Sequence, residues 1–385
     1  MQRAEQIAIG HQLFDYIDNR TTAMADEVYH QPVREYTCPD IAAQEQRVFF
    51  RQRPLCVGMS GLLPEPGTYF THDLNGLPIL LTRADDGEVR ALLNVCRHRG
   101  SRVAEAGGKS RSFVCPYHAW TYGLDGKLVA RPQDASFAAA PRARHGLTQL
   151  TAIERDGLIW ISPAPGQMFS LDDHLKGLGD EIAAYDLAGF HHYESRLLKR
   201  RMNWKLLIDT FLESYHFCVL HKDSICSIFY ENLTTFDTWG AHFRLVAARR
   251  TIEDIRQLPV SSWNLLPYMV AIYVFFPNTV LIWQLDHAEL WQIFPDDGAP
   301  EESKVLLSLY TPEPAITDSD RRHWDNNMDL VVHVVENEDF PVGEGIQRGF
   351  HSGAQDHTVF GENEPALAHF HRTLTGQLDA ARVRS

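Results

Sequence analysis

The period of the hydrophobic positions changes along this chain. From about Arg47 to Ser162, short apolar runs such as Leu77-Pro-Ile-Leu-Leu81 and Val89-Arg-Ala-Leu-Leu93 alternate with turn signals at Asn75-Gly76, Asp86-Gly87 and Asp125-Gly126. That punctuation predicts the hairpins of a small β domain. Gly157-Leu-Ile-Trp-Ile161 reads as its last strand, before Pro163 and Pro165 stop it. Residues 1–30 carry apolar positions at helical spacing, and a helix is expected over 172–185. A longer helix opens at Asn203-Trp204-Lys205, with Asn203 as its N-cap. Residues 268–276, 280–285, 289–294 and 304–310 read as strands of an antiparallel sheet, and 318–338 returns to helical spacing. The whole is α+β, in two domains for 385 residues.

Composition narrows the class. Apolar residues at 44% and charged residues at 22% are ordinary globular values, which exclude disorder and collagen-like repeats. The longest apolar run, 268–276, is half of a membrane span, and the first thirty residues hold no hydrophobic signal region, so a cytoplasmic protein is expected. Cys38, Cys56, Cys218 and Cys226 show no framework spacing and read as reduced thiols. A net charge of −14 argues against nucleic acid or an anionic membrane as partner. Locally the sign reverses: Arg97, Arg99, Arg102, Lys109 and Arg111 stand against Glu105 alone. A solvated loop explains such a cluster, and so does a docking surface for an acidic electron donor.

Within that basic stretch, Cys96 and His98 form a Cys-x-His pair, and Cys115 and His118 a Cys-x-x-His pair. Two thiolates suit one iron and two neutral imidazoles the other, which specifies a Rieske [2Fe–2S] cluster passing single electrons. Zinc is the competing reading, but zinc sites usually group like ligands, whereas each pair here mixes them. Pro116, Tyr117, Trp120, Tyr122 and Gly123 also flank the pairs as a cluster domain has them.

The segment LLIDTFLESYHFCVLHKD holds the second constellation. Asp209, Glu213 and His216 recur at four and three residues and would share a helical face. His221 follows five residues after His216, so the helix must end or bulge near Cys218 for both imidazoles to meet. Two histidines and one carboxylate with open positions form the facial triad of non-heme Fe(II) oxygenases. Taken singly, each histidine reads as a satisfied core residue and Glu213 as half of an ion pair.

Together these motifs resemble the large catalytic (alpha) subunits of the Rieske non-heme iron oxygenases, over nearly the whole chain. The resemblance implies a Rieske domain at 47–162 and a catalytic domain of helix-grip fold formed by 1–46 and 163–385. It implies a [2Fe–2S] cluster on Cys96, His98, Cys115 and His118, and a mononuclear Fe(II) on His216, His221 and a carboxylate of the late Glu338-Asp339 pair. Asp339 is the expected ligand, with Glu338 and Glu344 as neighbours that compete for the assignment. Glu213 matches the position that bridges an iron-bound histidine of one subunit and a cluster histidine of the next, and Asp209 is expected near the iron or orienting water.

The same resemblance implies a terminal oxygenase in a head-to-tail homotrimer, using O2 and NAD(P)H-derived electrons. A separate reductase, alone or through a ferredoxin, must supply them, because no Gly-x-Gly-x-x-Gly and no further ferredoxin-type cysteine set is present. The first substrate reading is hydroxylation or oxidative demethylation of an aromatic compound. The second is a monooxygenase of carnitine-, choline- or betaine-like quaternary amines, because several such relatives share Glu at position 213 where many ring dioxygenases have Asp. Phe211, Phe217, Phe229, Trp239, Trp263, Tyr273, Trp283 and Trp291 are candidate pocket aromatics that suit a ring or cage a cation.

Overall fold

The computed structural model describes residues 1–73, 76–296 and 299–384, so Asn75 of the first expected turn lies outside the described residues. The chain divides into two compact units: Phe49–His174 with Asp186–His192, and Met1–Val48 with Leu175–Tyr185 and Tyr193–Ser385. Residues 163–174 thus pack with the β unit, beyond the boundary expected at 162. Asp172 pairs with Arg155 at 2.5 Å, and His174 lies 5.4 Å from the Trp160 ring.

The β unit is built from antiparallel hairpins. Five strands run in the order Gln149–Leu150, Val89–Leu93, Ile79–Arg83, Thr68–His72, Gly107–Lys109. Ile79 faces Leu93 and Arg83 faces Val89 across the hairpin closed by Gly87, whose φ of 85° suits glycine. Three further strands, Ser112–Val114, Thr121–Gly123 and Leu128–Ala130, pack on a core of Leu80, Leu92, Phe113, Trp120 and Tyr122. Gly157 is required by geometry, since at φ +79° an added Cβ would fall 2.3 Å from the Leu187 carbonyl carbon.

In the larger unit, seven antiparallel strands run in the order His191–Arg200, Ala299–Thr311, His287–Asp296, Thr279–Gln284, Met269–Phe275, His242–Arg249, Phe229–Trp239. The four expected strands are all present. The other three escaped the pattern, and Arg244 shows one reason. It interrupts an apolar run yet is fully buried, bound by Glu181 at 2.8 Å, Glu5 at 2.6 Å and Asp237 at 2.7 Å. The helix expected over 172–185 is two short ones, Leu171–Leu175 and Leu178–Ala183, separated by Lys176 and Gly177 at positive φ.

Asn203 does cap its helix, accepting the Lys205 N–H, but that helix stops at Asp209 instead of running on. Its first turn is anchored from below. Glu45 accepts Lys205 Nζ at 2.6 Å and Trp204 Nε1 at 2.8 Å, with both charged side chains out of solvent. The C-terminal third holds helix Asp318–Val334, opened by a Thr317–Asp320 capping box, then a π-helical turn over Val335–Asp339, helix Phe340–Phe350 and helix Pro365–Arg384. No helix among the described residues is long and apolar enough to cross a membrane.

Cys218 and Cys226, expected as reduced thiols, are joined in a disulfide. Helix Phe217–Leu220 and the turn after it bring the two together, a proximity that spacing alone does not reveal. Closing so short a loop restricts the unfolded chain by about 2–3 kcal/mol. Cluster-free protein denatured without reductant should therefore present four thiols, from Cys38, Cys56, Cys96 and Cys115, to a chromogenic disulfide reagent. Cys218→Ser should lower the free energy of urea unfolding by ~2–3 kcal/mol. Six reactive thiols in the unreduced protein would show the bridge absent.

Candidate active site

In the β unit, two tight turns carry the four cluster candidates. Cys96 N–H donates to Ser101 O at 2.8 Å and Gly100 N–H to Cys96 O at 2.9 Å. In the second turn, Cys115 N–H donates to Trp120 O at 2.8 Å and Ala119 N–H to Cys115 O at 3.0 Å. Both cysteines are buried, and the His98 and His118 rings lie 4.6 Å apart with Trp120 stacked on His98 at 4.9 Å.

The Nδ1 atoms of His98 and His118 are buried without a hydrogen-bond partner among the described residues. Such atoms are rare unless something else takes their lone pairs. Two thiolates and two such nitrogens fit a [2Fe–2S] cluster, and these four residues would hold it. Tyr122, in the sequence only a flanking residue, has a closer part: its hydroxyl lies 3.2 Å from Cys96 Sγ and accepts the Arg97 N–H at 3.0 Å. Burial, then the contact with Cys96, pushes the phenol up.

The basic collar is smaller than its residue count. Arg102 is ion-paired with Asp73 and Lys109 with Glu65 at 2.8 Å. Arg97 donates to the Thr148 hydroxyl, and Arg99 lies 5.7 Å from the centre of the Tyr117 ring, which is 59% exposed.

The larger unit brings together His216, His221 and Asp339, with ligand atoms all within 4.8 Å of one another. Because the preceding helix ends at Asp209, the expected helical face of Asp209, Glu213 and His216 does not exist. Glu213 instead folds back in a turn, accepting the His216 N–H at 3.1 Å and bonding His216 Nδ1. One helical turn, Phe217–Leu220, then separates the two histidines and places their rings 5.0 Å apart.

Asp339 arrives on the π-helical turn, its Oδ1 at 3.2 Å from His221 Nε2 and 3.5 Å from His216 Nε2. Its two rivals are otherwise engaged. Glu338 bonds His221 Nδ1 at 2.5 Å and accepts the Ser224 hydroxyl at 2.7 Å, while Glu344 accepts the Arg201 N–H at 3.1 Å. Burial lowers the His221 imidazole, but Asp339 and Glu338 outweigh it and hold the group above its ordinary range. Two Nε2 atoms and a carboxylate oxygen, with both Nδ1 atoms tied to carboxylates, fit an Fe(II) facial triad.

Asp209 is outside this group of three. It accepts Tyr36 OH at 2.8 Å and pairs with His371 Nε2 at 2.8 Å in a buried network. Tyr36 and His371 come from the two ends of the chain, and no local signal near Asp209 announces them. A cavity of about 310 Å³ opens beside the triad, lined by Asp209, Glu213, His216, Asp339 and Glu364. Burial, with Glu213 and Asp209 adding, holds the Glu364 carboxyl above its ordinary range.

Strand alternation sorts the expected pocket aromatics. Trp291 meets Phe211 at 5.0 Å, and Phe217 meets Phe229 at 5.8 Å and His221 at 6.0 Å. Tyr273 and Trp283 lie on the opposite face of the sheet, against Tyr185 at 5.8 and 4.8 Å. Trp263 packs on Phe14 at 5.2 Å, and Trp239 lies 5.2 Å from Arg244. The Trp291 face also carries Glu289, a carboxylate only 2% exposed that accepts Trp291 Nε1 at 3.0 Å.

Residues 187–380 match the ring hydroxylating alpha subunit (catalytic domain) family, and residues 53–145 the Rieske [2Fe-2S] domain family. The carnitine monooxygenase oxygenase subunit of Escherichia coli (strain K12) is 31% identical over 382 residues, 91% of this chain and 94% of that one. The glycine betaine monooxygenase oxygenase subunit of Chromohalobacter salexigens is 34% identical over 226 residues, 58% of this chain, and the match spans 50% of that relative's length. In fold, the quaternary ammonium Rieske monooxygenase CntA in complex with L-carnitine aligns at a TM-score of 0.77 with 21% identity, over 91% of this chain and 96% of that one. Naphthalene 1,2-dioxygenase from Rhodococcus aligns at 0.72 with 18% identity, over 97% and 98%. The cluster turns and the histidine–carboxylate triad thus sit in a chain that belongs to the Rieske non-heme iron oxygenases, as an alpha subunit carrying both the Rieske and the catalytic domain.

Proposed function

We propose that this chain is the terminal oxygenase of a multicomponent system and oxidises a quaternary ammonium compound. The observation that carries the reading is the convergence of His216, His221 and Asp339 with Glu213 bonded to the far nitrogen of His216. When bound, the cluster supplies single electrons and the mononuclear iron the means of inserting oxygen from O2. The protein's part is to hold and connect these centres. Cys96, Cys115, His98 and His118 hold the first, and His216, His221 and Asp339 the second.

Glu213 fixes the His216 ring and stands at the mouth of the cavity. Around that mouth Val342 and Val359 are exposed, a short apolar rim about the carboxylates of Glu213 and Glu364. The exposed Tyr117 beside Arg99 offers the complementary chemistry. A second copy presenting that tip to this mouth gives a head-to-tail contact, which closes as a homotrimer. Electrons then enter from a separate NAD(P)H-dependent reductase, directly or through a ferredoxin.

The substrate class rests on the relatives named for carnitine and glycine betaine, and Phe211, Trp291 and Glu289, which pack together in the catalytic unit, are the groups proposed to receive the cation. An indole face attracts a trimethylammonium group, and Glu289, which also pairs with His287 Nε2 at 3.5 Å, lies beside it. Oxidation of an aromatic compound is the second reading, favoured by the fold shared with naphthalene 1,2-dioxygenase and by the same aromatic side chains.

A single turnover of anaerobically reduced enzyme with O2 should release trimethylamine or a demethylated amine from a trimethylammonium panel. Hydroxylated or demethylated products from an aromatic panel alone would establish the second reading. Trp291→Leu should raise KM for the cation by about 2–30-fold, the loss of ~0.5–2 kcal/mol of cation–π attraction, and leave binding of the neutral tert-butyl isostere nearly unchanged. Glu213→Gln should retain both metals while O2-dependent reoxidation of the reduced cluster slows by roughly 10–100-fold. Reoxidation at the wild-type rate would remove Glu213 from the electron path.

A further inference from the structure

The two histidines of the triad are held in different ways. His216 is tied through Nδ1 to Glu213, which lies in its own turn and at the cavity mouth. His221, 2% exposed, faces a carboxylate at each ring nitrogen, from two successive residues: Glu338 at Nδ1, 2.5 Å, and Asp339 at Nε2, 3.2 Å. Successive side chains of an α-helix diverge by about 100° around its axis, since a turn takes ~3.6 residues. The π-helical turn over Val335–Asp339 is wider, and it ends on these two residues.

A third group completes the arrangement. Ser224 N–H donates to His221 O at 3.1 Å, and the Ser224 hydroxyl donates to Glu338 Oε2 at 2.7 Å, the oxygen that faces His221 Nδ1. A ring of hydrogen bonds therefore runs from the His221 carbonyl through Ser224 and Glu338 back to the His221 imidazole. An acceptor at Nδ1 keeps the proton there and leaves the Nε2 lone pair for a metal, and its negative charge makes that nitrogen a better donor.

We propose that Glu338 is the positioning residue that retains iron, acting through His221 with Ser224 as its brace, while Glu213 on His216 serves electron entry. The proposal rests on the reading of His216, His221 and Asp339 as the iron's ligands. Protein stripped of the mononuclear iron, its cluster intact, would be titrated anaerobically with Fe(II) against a chromogenic ferrous chelator.

Glu338→Ala should weaken Fe(II) binding by roughly 10–100-fold. Glu338→Gln, which keeps an acceptor oxygen without the charge, should fall between it and the wild type. Ser224→Ala should weaken binding by about 2–10-fold, the loss of one hydrogen bond. Cluster absorbance and the thermal midpoint of the iron-free protein report whether each variant folds, and Ser224→Ala decides the matter if Glu338→Ala does not. Wild-type affinity in the folded variants would overturn the proposal. Unaltered affinity in His221→Ala would instead overturn the triad on which it rests.

Discussion

Two imidazole nitrogens and a carboxylate oxygen directed at one point are the constraint around which the larger unit is arranged. Lone pairs so placed repel one another unless a cation or a proton lies between them. Folding must therefore hold them against that repulsion. Glu338 lies 117 residues from His221 in sequence, so no local turn could supply the geometry. It is met by a one-turn helix on one side and a π-helical turn on the other.

Behind these short elements stand buried charges. Glu45 holds the first turn of the helix that leads to Asp209, and Tyr36 with His371 holds Asp209 itself. On the outer face of the sheet, Arg244 is neutralised by three carboxylates. Removing one partner of such a buried group costs far more than an exposed pair would. The Cys218–Cys226 disulfide closes the loop that contains His221 and Ser224, which adds a covalent limit to the motion of the same ligand.

The two candidate metal sites use histidine in opposite senses. In the cluster turns it is Nδ1 that is left without a hydrogen-bond partner among the described residues. In the triad Nδ1 is taken by Glu213 or Glu338, and Nε2 is directed inward. In those turns the nitrogen nearer the backbone is the one left for a ligand bond. Ligands converging from separate elements meet at the tips of their rings instead.

From sequence alone the two cysteine–histidine pairs that face each other in the β unit, the pairing of His216 with His221, the capped start of the helix at Asn203 and four strands of the sheet were legible. Each is written in a few neighbouring residues whose spacing carries the geometry. Tertiary structure alone decided what depends on distant partners. It ended the helix at Asp209, set Asp339 at the triad with Glu338 behind His221, and tied Asp209 to Tyr36 and His371. It joined Cys218 to Cys226 and divided the aromatics between the two faces of the sheet. Spacing in sequence reports direction only while the secondary structure continues unbroken. Here the functional residues lie where helices end, widen or turn, and there only contacts between distant segments determine where a side chain points.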